Sequence, residues 1–283
     1  LNAAMGLYVY SKIEWLNDVY LPDFDGEYSG QCTPSTNPID GKYLQEAYDE
    51  YITEKLIGEA SALYVKAGEN PYAYINEMKT FINGVQGNID AFLASKITFV
   101  TLPKVYSSGN PETPLGTKVS GAGAGRYDWE QLVVLNEAVN GIRMTFLKTN
   151  VGGAASNGKQ NGYSMVALSG LQILDGEGNA LALSSDLVTS NSEVGEGLEG
   201  AGNGPISALF DEDVNTYYHS DWGGGRYDQP YTYIYFDINF PEGVSLKNFT
   251  IKTTGRQGQN QISLTPSEVC ITKYGEEYDP AIF

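Results

Sequence analysis

The hydrophobic period of this chain changes near residue 100, and the change calls for two kinds of packing in one polypeptide. Up to that point apolar residues recur at three- and four-residue spacing, the mark of helices with one buried face. Leu44, Ala47, Tyr48, Tyr51 and Ile52, continued by Leu56, Ala60, Leu63 and Tyr64, predict a helix over Lys42–Lys66. Asp40 suits its N-cap and Gly68 its stop. A second helix is expected from Pro71 to Lys96, with Tyr74, Met78, Phe81, Val85, Ile89 and Phe92 on one face. A shorter one covers Ala4 to Tyr20, and Leu21–Gly41 reads as a loop. Three antiparallel helices of this kind bury one shared core. The expected first domain, residues 1–98, is therefore a three-helix bundle, read as a spacer or as a module that docks other protein domains.

After Lys96 the period shortens. Leu132–Leu135, Ile142–Leu147, Met165–Leu174, Tyr231–Ile238, Leu246–Thr253 and Glu268–Thr272 are short β-branched or aromatic runs separated by turn clusters such as Gly152-Gly153 and Pro241-Glu242-Gly243. Short strands without intervening helices predict an antiparallel β-sandwich. Ile97–Leu102 is apolar and β-branched, and the Pro103–Gly125 stretch that follows reads as a linker rich in Pro, Gly and Ser. The expected boundaries are thus 1–98 for the bundle, 99–128 for a linker with a first strand, and 129–283 for the sandwich, an α+β multidomain class.

The charge balance narrows the partners. A net charge of −18 offers no clustered cations for phosphates, which argues against nucleic acid and against anionic surfaces. The acidity is general, with 14 acids and 6 bases up to Val100 and 21 and 11 after it, so it is no tail. No apolar run approaches the roughly 20 residues that span a bilayer, and no membrane insertion is expected. Cys32 and Cys270 form neither a metal spacing nor a disulfide framework. With His219 as the only histidine, any Ser-His-Asp triad or His-based zinc site would have to use it, and no nucleophile elbow is present. Gly195–Gly200 formally matches a phosphate loop but carries two glutamates, and reads as a flexible loop. Binding rather than turnover is the expected activity.

The stretch from Ala208 to Trp222, ALFDEDVNTYYHSDW, combines an Ala, a short acidic loop, a Thr, an aromatic residue and a polar pair. Pro230 and an aromatic strand ending at Asp237 follow, and Ser267–Ile271 closes the pattern. Over about residues 130–275 this resembles the discoidin or coagulation-factor 5/8 type C domains, most of all the carbohydrate-binding modules attached to bacterial glycan-degrading enzymes. The resemblance implies a galactose-binding-like jelly roll that is secreted or cell-surface and bacterial, with any signal or anchor segment outside this chain. It implies a sugar site at His219, Trp222, Arg256 and Asn260. It also implies a structural Ca²⁺ held by the Ala208 carbonyl, Asp211, Asp213, Thr216 and Glu268. The Arg256-to-Asn260 interval is shorter than that family's, and Gly223-Gly224-Gly225-Arg226-Tyr227 departs from its pattern.

The residues support the same chemistry unaided. An indole covers the apolar face of a sugar, while imidazole, guanidinium and amide groups meet its hydroxyls. Alternating carboxylates with a nearby hydroxyl supply the hard oxygens that Ca²⁺ prefers; the same residues also build a self-capped turn. The expected ligand is a neutral, galactose-like glycan. Two other readings remain: a protein-adhesion module with a degenerate sugar site, and an accessory piece of a larger glycoside hydrolase.

Overall fold

The structure, a computed structural model, describes residues 2–110, 113–120, 126–149, 165–195, 198–221, 233–258, 264–279 and 281. The change of hydrophobic period marks a real division, into a helical unit, Leu1–Thr98, and a unit built on two antiparallel sheets, Phe99–Phe283.

Two α-helices of the first unit are long: α1 (Asn2–Trp15, 14 residues) and α5 (Ile75–Leu93, 19 residues). Between them come α2 (Leu21–Tyr28), the parallel pair β1 (Cys32–Thr33) and β2 (Tyr43–Leu44), α3 (Gln45–Ala47) and α4 (Glu59–Gly68). The expected three-helix bundle is thereby corrected in two places. Lys42–Lys66 is not one α-helix, because Tyr48–Gly58 is wound as a π-helix between α3 and α4. Tyr48, Ile52, Leu56 and Ala60 are all buried and fall every fourth residue. On a 3.6-residue turn such a stripe drifts by about 40° per step, and a wider i→i+5 turn counters that drift. Nor is Leu21–Gly41 all loop. After a π-helical turn at Leu16–Tyr20, in which the Leu21 N–H bonds the Leu16 carbonyl, the helical path continues into α2 with Pro22 in its first turn. That helix buries Leu21 and Phe24. Phe92 is the hub of this core, with the rings of Phe24, Tyr28, Tyr43 and Tyr48 centred 4.8–6.0 Å from its own.

The second unit contains β3 (Lys104–Ser107), β4 (Thr117–Lys118), β5 (Tyr127–Val139), β6 (Gly141–Thr149), β7 (Ala167–Leu174), β8 (Val188–Ser190), β9 (Tyr218–His219), β10 (Ile234–Asn239), β11 (Leu246–Gly255) and β12 (Pro266–Lys273). One sheet runs β3-β12-β6-β10-β8 and the other β4-β5-β11-β7-β9, with antiparallel pairing throughout. β3 and β4 lie in the stretch read as a linker, yet each pairs as an edge strand, one in each sheet. A single apolar cluster joins the inner faces: Leu168, Phe249 and Ile251 from one sheet meet Ile142, Met144, Phe236 and Val269 from the other. Each such side chain contributes about 1.5–3 kcal/mol by leaving water. Tyr218 of β9 meets Phe236 of β10 edge-on at 4.9 Å, locking the two sheets together at one end. Cys32 and Cys270 are both free thiols.

Candidate ligand site

β9 is only two residues long, but it is pinned from several sides. It pairs with β7 through Ala167–His219 and Leu168–Tyr218. On its other flank Gly204 donates to the Tyr217 carbonyl, and His219 N–H donates to the Gly204 carbonyl, at 2.9 and 3.0 Å. A side chain at Gly204 would come within 2.8 Å of the Val194 carbonyl oxygen, and its φ of +110° suits glycine alone. Beyond the strand, Ser220 exchanges two 2.9 Å hydrogen bonds with Val166, and Asp221 N–H donates to Ser192 Oγ. The chain is thus fixed up to the residue before Trp222. Strand alternation does the rest: Tyr218 points into the core, and Tyr217 and His219 point to the opposite face.

Arg256 reaches that face from the end of β11. The register of β11 against β7 shifts between Thr254 and Gly255, and a Cβ at Gly255 would sit 2.5 Å from the Tyr127 carbonyl oxygen. Glycine is required for this close approach, and the next residue is Arg256. Its guanidinium carbon lies 3.6 Å from the centre of the Tyr217 ring, and Nη2 donates to the Tyr217 hydroxyl at 2.8 Å. That hydroxyl in turn donates to Glu199 Oε2 at 3.1 Å, which stands 4.0 Å from Arg256 Nη2. Asn203 holds the acid in place: its Nδ2 donates to the Glu199 carbonyl, and its Oδ1 accepts the Tyr217 N–H. Arg256 and Glu199 side chains are 16% and 19% exposed, so their attraction is weakly screened. Burial pulls the Arg256 guanidinium below its ordinary value, with Tyr217 and Glu199 opposing.

His219 completes the cluster, its ring centre 6.3 Å from that of Tyr217. The residue is 4% exposed. Nδ1 lies 2.7 Å from the Ser220 carbonyl, an acceptor only, which assigns the proton to Nδ1 and leaves Nε2 as the acceptor of a neutral ring. Burial depresses the imidazole pKa first of all; Arg256 adds to this, while the Ser220 carbonyl and Glu199 oppose it. One acid and one base cancel, and the histidine is neutral. Such a site suits hydroxyls, with donors on Arg256 and an acceptor on His219.

Of the four expected sugar residues, the structure brings His219 and Arg256 to one place; Trp222 and Asn260 lie outside the described residues. Tyr217 and Glu199 were not foreseen. Tyr217 carries no assignment within the Ala208–Trp222 stretch, and Glu199 falls in the Gly195–Gly200 loop read as flexible.

The expected Ca²⁺ residues fit in part. Ala208 is buried in the 3₁₀ turn Ile206–Leu209. In the loop that follows, Asp211 accepts the Asp213 N–H and the Thr216 hydroxyl, at 3.0 and 2.6 Å. Asp213 accepts both the backbone and side-chain N–H of Asn215, and these bonds lower its pKa. Glu212 holds a φ of +61° between them. Three of the side chains expected to bind the ion therefore share one turn, but Glu268 is engaged with Lys148 at 2.8 Å, across the β12–β6 pairing. Among the described residues no group of three or more His, Cys, Asp or Glu is placed to hold a metal ion. No helix among them is long and apolar enough to cross a membrane.

Comparison with known proteins assigns no family. No family model matches the chain, and no curated protein matches it in sequence.

Proposed function

We propose that this chain is a non-catalytic carbohydrate-binding module of a secreted or cell-surface protein, with a galactose-binding-like jelly roll of the discoidin type, and that it binds neutral galactose-type sugars. The observation that carries the reading is the convergence of His219 and Arg256 on Tyr217, the last two 39 positions apart in sequence. A neutral imidazole acceptor and a fixed guanidinium donor are complementary to vicinal hydroxyls, and the cancelling charges of Glu199 and Arg256 favour an uncharged ligand. The reading adds Trp222, directly after the pinned Asp221, as the apolar platform, and Asn260 as a further polar contact.

Calorimetric titration with galactose and N-acetylgalactosamine tests it. A monosaccharide buries little area, so Kd is expected on the order of 0.1–1 mM, and Arg256→Met should weaken binding about tenfold. The burial of His219 favours one alternative, a protein-adhesion module whose sugar site is degenerate. Silence toward every neutral sugar at tens of millimolar would select it. The same reading puts Ca²⁺ in the Asp211–Thr216 loop, supported by its three clustered ligand side chains. Glu268 would have to leave Lys148 to join them.

A further inference from the structure

We propose that Glu199 is the specificity-determining residue of this site, with Tyr217 as its positioning partner: together they fix the Arg256 guanidinium and cancel its charge, so that the site accepts an uncharged sugar and rejects one bearing a carboxylate. The inference rests on the sugar reading above and adds the discrimination between neutral and acidic sugars.

The argument begins with what an arginine does when left alone. Its planar fork of five N–H donors matches a carboxylate in bidentate fashion, and a half-buried, unpaired Arg256 would select acidic sugars. Here one face of the fork is covered by the Tyr217 ring at 3.6 Å, and Nη2 is committed to the Tyr217 hydroxyl. The hydroxyl donates its own hydrogen bond to Glu199, so the three groups form a directed chain of hydrogen bonds, or relay, from guanidinium to phenol to carboxylate. An incoming carboxylate would meet a like charge about where it would have to bind, since Glu199 Oε2 is 4.0 Å from Nη2. Both side chains are more than four-fifths buried, and solvent screens that repulsion poorly. The relay is built in rather than incidental: Asn203 clamps the Glu199 carbonyl to the Tyr217 N–H, and Tyr217 packs with Ala167 and Leu264 beneath. His219 offers no compensating charge, because burial holds it neutral.

Glu199→Gln keeps the shape and removes the charge, whereas Tyr217→Phe keeps the ring and breaks the relay. Both would be titrated with galactose and galacturonic acid after melting curves confirm that they fold. The native protein should prefer galactose by about tenfold or more, and Glu199→Gln should bring the ratio to about one by removing the repulsion. Tyr217→Phe should weaken galactose about three- to fivefold while keeping the preference, since Glu199 remains.

His219, the chain's only histidine, supplies a readout that needs no sugar. Among the described residues the groups acting on it are Glu199, Arg256 and the Ser220 carbonyl. Its NMR titration should move to lower pH in Glu199→Gln and to higher pH in Arg256→Met. A selectivity ratio and a His219 titration both unmoved by Glu199→Gln would overturn the proposal. A native protein that binds neither sugar overturns the sugar reading, and the specificity role with it; the His219 titration then decides separately whether the relay exists.

Discussion

Two polar clusters lie close together in sequence and are built on opposite principles. The Asp211–Thr216 loop satisfies itself within six residues, Asp211 and Asp213 each capping an N–H two positions on, and all but the half-buried Thr216 are exposed. The cluster of Glu199, Tyr217, His219 and Arg256 draws on three separate segments, is mostly buried, and depends on two glycines that let backbones approach closely. A local turn costs little to lose and needs nothing beyond itself. A long-range cluster is held by the whole sheet, so its parts are coupled and each deletion strands a partner.

The largest break in that comparison should come from Tyr217→Ala. It removes a buried ring from beneath Arg256 and from against Ala167 and Leu264. The expected loss is about 3–4 kcal/mol of unfolding free energy, from cavity and stranded donor together, read by denaturant titration. Asp211→Ala in the exposed loop should cost less than about 1 kcal/mol in the same assay. Equal losses would mean that the two clusters do not differ as described.

An intermediate effect is expected from pH. The folded-state pKa of His219 is depressed below its ordinary 6.5, so on acidification the unfolded chain takes up the proton first. The stability that His219 contributes is complete above pH 6.5 and declines as pH falls toward the folded value. His219→Gln should flatten this part of the stability profile, and an unchanged slope between pH 6.5 and 5 would place the imidazole in solvent.

The difference between the clusters is also a difference in legibility. Six strands were readable because alternation and β-branched runs are local signals, and Ile142–Leu147 and Leu246–Thr253 fall inside β6 and β11. β3, β4, β8 and β9 were missed: each is four residues or fewer and owes its conformation to a neighbouring strand. The helical periodicity was visible, but a four-residue spacing does not announce that the turn will widen into a π-helix. His219 and Arg256 could be named from residue type and resemblance. Glu199 could not, because its role comes from Asn203 and Gly204 folding its loop against Tyr217, and no local pattern encodes that contact. The 16% exposure of the Arg256 side chain follows from the same packing.

The smallest expected effect concerns Ca²⁺. If the Asp211 loop binds the ion, a chelator should lower the melting temperature by a few degrees through mass action, and Asp211→Ala should abolish the shift. A melting temperature indifferent to both chelator and added Ca²⁺ would leave the loop as a self-capped turn.

The central claim, that the buried long-range cluster receives a neutral sugar, is tested most directly at His219 itself. As the only histidine, it gives one set of imidazole NMR signals. Galactose should move those signals along a saturating curve with Kd on the order of 0.1–1 mM, and in Arg256→Met the curve should shift to about tenfold higher galactose. Imidazole signals that stay fixed at about 50 mM galactose, far above that Kd, would contradict the account.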